Sequence, residues 1–176
     1  MSVVVLIRHP AAFAGSLKRL DWQYPFEHLV GQELLRERYF SQFDDEIHQQ
    51  ARTKHDIVDQ SILLWRLIHH VIAVYQTRHP DWLFVRHEDL SRDPVTQFQR
   101  LHDFLSLDFS APAREYLART SNTRNPAEAP TGGDSLHRDS LANITTWKHR
   151  LTPAEIRRIR EGTAAEAAPF YDDSDW

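Results

Sequence analysis

An arginine placed where a strand runs out, followed two helical turns later by a hydroxyl, is a way of gripping an anion. The opening of this chain, Val3-Val4-Val5-Leu6-Ile7-Arg8-His9-Pro10-Ala11-Ala12-Phe13-Ala14-Gly15-Ser16, has both. The run Val3–Ile7 is continuously apolar and mostly β-branched, which predicts a strand buried on both faces, as in a parallel sheet. Pro10 suits the first turn of a helix, where its missing N–H costs nothing. A strand feeding straight into a helix aims orphan N–H groups and a positive dipole end at one spot. Arg8 sits at the carboxyl end of that strand, the side on which open α/β sheets bind ligands. Ser16 lies on a helix face that can look back at the same place. Guanidinium forks grip phosphate oxygens with two parallel bonds, and a serine hydroxyl can add another. The chemistry expected is half of a nucleotide-phosphate site.

Other candidates carry less. Asp44, Asp45 and Glu46 fall on the polar face of a helix expected over Gly31–Ala51, without ligand spacing for a metal, and read as a solvated face. His69 and His70 are adjacent, so they point about 100° apart and cannot form the i, i+4 pair that a helical metal site needs. They belong to a helix expected from Asp56 to Arg78, apolar nearly all round and interrupted by Asp59, Arg66, His69 and His70, which predicts burial against a sheet rather than in a membrane. A second buried strand follows at Trp82–Arg86. A helix of that length between two apolar strands is a right-handed crossover, so the sheet should be parallel. Next come helices over Pro94–Leu105 and Ala111–Arg119, a long polar loop over Thr120–Ser140 containing Ala129-Pro130 and Gly132-Gly133, and a capping box, Thr152-Pro153-Ala154-Glu155, that opens a helix to Ala168. Asp93 and Asp89 read as caps, Glu88 is left open between cap and site, and the acidic tail Phe170–Trp176 is expected to fray.

With those elements placed, a family resemblance emerges. Ile7-Arg8-His9-Pro10 with Ser16 is similar to the 3′-phosphate-binding segment of the sulfotransferases that use 3′-phosphoadenosine-5′-phosphosulfate. Trp82-Leu83-Phe84-Val85-Arg86-His87-Glu88-Asp89-Leu90, with Asp93-Pro94 and Phe104-Leu105, resembles that family's strand, its Tyr-Glu-Asp-Leu turn and the helix ending in Phe-Leu. Trp147-Lys148-His149-Arg150-Leu151-Thr152 resembles its C-terminal Trp-Lys/Arg-x-x-Leu-Ser/Thr segment. The resemblance implies an α/β fold with a P-loop-NTPase-like parallel sheet flanked by helices, as a single domain over residues 1–176. It also implies sulfuryl transfer to a hydroxyl or amine acceptor, leaving adenosine 3′,5′-bisphosphate. Arg8 and Ser16 would clasp the 3′-phosphate, His87 would stack on or bond to adenine, Arg138 would close over the phosphate from the long loop, and Lys148 would add positive charge.

One departure from the family pattern shapes the expectation. The Lys/Arg-x-Gly-Ser/Thr-Thr loop that holds the 5′-phosphosulfate is not found here, and Gly132-Gly133 lacks the basic and hydroxyl partners of such a loop. The family's base lies near that loop, so no catalytic residue is assigned, and the domain is expected to be truncated, incomplete at its N-terminus. Two alternatives stay open. One is an inactive relative that survives as a nucleotide-binding or structural fragment, with an unpaired strand edge that favours self-association. The other is a histidine phosphatase, since Leu6-Ile7-Arg8-His9 also opens that family, although Pro10 stands where those enzymes have Gly.

Composition narrows the partners. The 176 residues carry a net charge of −4, which offers no overall attraction to nucleic acid or anionic lipid. Cysteine is absent, so thiolate chemistry is excluded. No signal sequence or spanning segment is read at the start, and the default expectation is a cytoplasmic protein.

Overall fold

The apolar run at the start does form a strand, and it finds its partner nearly eighty residues away. Strand β1 (Val4–Ile7) pairs in parallel with Leu83–Arg86, in the register Val4↔Leu83, Val5↔Phe84, Leu6↔Val85, Ile7↔Arg86. The structure is a computed structural model that describes residues 1–53, 55–128 and 136–176. Between the strands lie α1 (Pro10–Leu20), α2 (Glu27–Val30), α3 (Glu33–Leu35), a π turn over Arg36–Phe40, a 3₁₀ turn over Ser41–Phe43, α4 (Asp44–Arg52) and α5 (Ile57–Arg78). After β2 (Leu83–Arg86) come α6 (His87–Arg92), α7 (Pro94–Leu105), α8 (Ala111–Thr120), α9 (Ser140–Asn143), α10 (Trp147–Arg150) and α11 (Pro153–Ala167). The described fold is thus mostly helical, with a two-stranded parallel sheet, and is narrower in β-structure than the flanked sheet expected. Ala129-Pro130 and Gly132-Gly133 of the expected long loop lie outside the described residues.

The chain folds as two compact units, Met1–His9 with His79–His149, and Pro10–Arg78 with Arg150–Trp176. The first holds the sheet. Ile7 and Val85 are buried, but Leu6 stands 54% exposed, so β1 is covered on one face only and not on both. In the same unit α6 packs on β2, α7 and α9. Asp93 caps α7 by accepting from the Thr96 amide at 3.3 Å, as expected. Asp89 does not cap. It sits inside α6, where the guanidinium groups of Arg86 and Arg92, three residues away on either side, each reach it at 3.0 Å.

The second unit is built on α1, α5 and α11, each packed on the other two. Helix α5 is long and apolar enough to cross a membrane, and half of it is buried inside the fold, with Val58, Leu63, Trp65 and Leu67 among its covered residues. That is the behaviour of a core helix. The single helix expected over Gly31–Ala51 is instead broken. The chain departs from helical backbone at Gln32 (φ −107°, ψ 67°), and the π and 3₁₀ turns then change the winding. Through those breaks Phe26, Leu29, Phe40, Phe43 and Ile47 meet Leu63, Leu64 and Leu67 in one core, while Leu34 is 82% exposed. Core contacts outweigh helix continuity here. The capping box of α11 is present, with Thr152 and Glu155 each accepting the other's amide. The tail is docked rather than frayed: Phe170 and Tyr171 are buried, Asp173 pairs with Arg160, and that guanidinium lies 5.6 Å from the Trp176 ring.

Candidate functional site

Parallel, in-register pairing has a consequence for the residues just past the strands. If Ile7 is level with Arg86, then Arg8 is level with His87 and His9 with Glu88, all at the carboxyl end of the sheet. The structure bears this out. Glu88 is 3% exposed, and its Oε1 accepts the His9 backbone N–H at 3.0 Å. That bond ties the corner after β1 to the corner after β2 in the interior, where an unmet amide would cost about 1–3 kcal/mol. Burial holds the His87 imidazole below its ordinary pKa, and the positive charge of Arg8 adds to this, with Glu88 opposing. His87 is therefore neutral at pH 7.

The His9 side chain is 2% exposed and stacks on Trp147, ring centroids 5.2 Å apart and planes 17° from parallel. An imidazole covered this way cannot attack a phosphorus atom, which removes the physical basis for the phosphatase alternative. Lys148 Nζ lies 5.0 Å from the other ring of that stack, Trp147, on an exposed side chain. The first unit thus gathers Arg8, His87 and the Trp147-Lys148 pair around one strand end. Arg138 is not gathered there by any contact of the described residues. Its guanidinium donates to the neighbouring His137 carbonyl at 2.9 Å, and its amide to Thr120.

Ser16 belongs to the second unit, on α1, and is described within it. Its hydroxyl accepts from Arg150 Nη1 at 3.4 Å. One half-turn along the same helix, Lys18 grips both carboxylate oxygens of Glu155, at 2.7 and 2.8 Å. Burial pushes the Glu155 carboxyl up, but the Lys18 ammonium and the Thr152 amide outweigh it and hold the group below its usual range. Helix α1 is thereby clamped to the start of α11, which carries Ser16 at a fixed position beside a cation.

Two functional candidates were not legible as such in the sequence. Glu88 carried a signal, its place two residues beyond a strand that pairs with β1, but using it requires the register. Arg150 lies in the Trp147–Thr152 segment already singled out, yet Lys148 was preferred there. Among the described residues, no group of three or more His, Asp or Glu side chains is arranged to hold a metal.

A family model described as the sulfotransferase domain matches residues 3–170. Carbohydrate sulfotransferase 5 of Mus musculus is 31% identical over 77 residues, 44% of this chain and 20% of that protein. Carbohydrate sulfotransferase 6 of Homo sapiens is 27% identical over 77 residues, again 44% and 20%. Carbohydrate sulfotransferase 2 of Homo sapiens is 29% identical over 87 residues, 47% of this chain and 16% of that protein. The matches thus span about a fifth or less of the length of these relatives. No solved structure matches the chain. The resemblance carried by three short motifs is borne out over nearly the whole sequence, and the chain belongs to the sulfotransferase domain family.

Proposed function

We propose that this chain binds the 3′-phosphoadenosine part of 3′-phosphoadenosine-5′-phosphosulfate, in a P-loop-like α/β setting, and takes part in sulfuryl transfer to an acceptor hydroxyl. The observation that carries the reading is the constellation at the strand ends: Arg8 beside a neutral, half-covered His87, with the corner fixed by the buried His9–Glu88 bond. Arg8 supplies the charge for the 3′-phosphate and His87 a surface for adenine. From the motif, Lys148 adds positive charge and Arg138 approaches from its loop. The names of the relatives, all carbohydrate sulfotransferases, support a sugar hydroxyl as the acceptor.

In the reaction the bond between sulfur and the 5′-phosphate oxygen breaks as the acceptor oxygen bonds to sulfur, and the acceptor proton passes to a base. No residue of this chain is assigned that role. What these residues contribute is positioning and charge, which hold the donor in line and stabilise the departing bisphosphate. Calorimetric titration of the chain with adenosine 3′,5′-bisphosphate tests the reading. Saturable binding at one site is expected, with adenosine 5′-monophosphate weaker by about tenfold or more. No binding of either nucleotide would overturn it and leave the fragment reading.

A further inference from the structure

Beyond the C-terminal end of α1, on the far end of that helix from Pro10, the second unit holds an open pocket of about 370 Å³. A helix of this length separates its two ends by about 16 Å. The pocket is reached by a loop that leaves α1 through Asp21, whose φ of 48° lies in the left-handed region that non-glycine residues seldom enter. The loop then lays down Trp22, Tyr24 and Phe26 as successive edge-on or tilted rings, centroids 6.1 and 5.2 Å apart.

The lining is unusual for its amides. Gln23, Gln50 and Gln60 all face the pocket, with Tyr24 beside them and Glu27 and Arg52 contributing charges of opposite sign. Gln60 is 8% exposed, and its Oε1, like that of Gln50, has no hydrogen-bond partner among the described residues. Two sheltered amide oxygens without donors are a cost of about 1–3 kcal/mol each unless a ligand supplies the missing N–H or O–H. Amides both donate and accept, as a ring of hydroxyls requires, and a tyrosine face covers the C–H side of a pyranose. Cancelling charges favour a neutral ligand over an anion. A volume in this range suits a small ligand.

We propose that this pocket binds an uncharged sugar unit. Its further assignment, to a non-reacting sugar of the acceptor, rests on the sulfotransferase reading; the binding itself does not. Binding of this kind fixes the acceptor without taking part in the chemistry.

Titration of the whole chain with lactose tests it, with 1,6-hexanediol as the apolar control and adenosine 3′,5′-bisphosphate measured on the same samples. Saturable lactose binding in the range of about 1–10 mM is expected. Gln50→Leu and the exposed-site variant Gln23→Ala should each weaken it about fivefold or more. Neither should lower the melting temperature or change nucleotide affinity. Absence of saturation, lactose binding by both variants as tight as by the parent, or hexanediol binding as tight as lactose would overturn the proposal. Lactose binding without nucleotide binding would sink the sulfotransferase reading alone, and the reverse result would sink the pocket alone.

Discussion

At the residue scale, the most informative contact is the His9 amide donating to a carboxylate that the sequence left undecided. Arg8 was legible because a guanidinium at the end of an apolar run, just before a helix-starting proline, has few other uses. Glu88 was not, because its role depends on which residue of β1 lies opposite it, and a short apolar run does not fix register. Replacing Glu88 by Ala removes the acceptor while the His9 amide stays buried, at a cost of about 1–3 kcal/mol. Glu88→Gln keeps an oxygen in place and should lose less than half as much. Urea unfolding of the two variants decides this; equal losses would mean that the contact is incidental. Asp89 teaches the converse. An acidic residue one turn into a helix pattern reads as a cap, but the Arg86 and Arg92 side chains claim it first.

At the scale of elements, the helices that announced themselves by caps and proline punctuation formed where expected: α1 behind Pro10, α7 behind Asp93-Pro94, and α11 behind its capping box. The broken stretch from Gly31 to Ala51 did not, because its apolar spacing fits a continuous helix while the core it serves requires two changes of winding. The docked tail escaped notice for a related reason: its acidic residues look soluble, and only the positions of Phe170 and Tyr171 tie it down. The crossing of α5 and α11 makes a test at this scale. A Cβ added at Gly162 would fall 2.9 Å from Ile62 Cγ2. That methyl sits on a β-branched carbon with little freedom to yield. Gly162→Ala gains about 1 kcal/mol of helix propensity but meets overpacking of about 1–3 kcal/mol, so a net loss of stability is expected. In an Ile62→Ala background the clash is gone, and the same substitution should stabilise. Thermal unfolding of the four proteins in the cycle reads the sign change; a loss in both backgrounds would place the strain elsewhere.

For the whole molecule, stability should depend on pH through a histidine that does no chemistry. His69 is 4% exposed, stacked on Trp65 at 3.6 Å, with Nδ1–H donating to the Trp65 carbonyl, and burial pushes its pKa down to about 4. The unfolded chain binds this proton more readily than the folded one. The contribution is therefore whole above pH 6.5, falls as pH drops from 6.5 to 4, and is constant below that, about 3 kcal/mol in all. His69→Phe should flatten the stability profile across that window, as followed by urea midpoints at successive pH values; an unchanged slope would show that His69 is not the group responsible. The central claim concerns Arg8, and it is tested most directly by removing the arginine and the 3′-phosphate separately and together. Calorimetry on the parent and Arg8→Ala, each with adenosine 3′,5′-bisphosphate and with adenosine 5′-monophosphate, closes that cycle. The account predicts that Arg8→Ala lowers affinity for the bisphosphate to that for the monophosphate and leaves the monophosphate unaffected. A substitution that weakens both nucleotides alike, or neither, would contradict it.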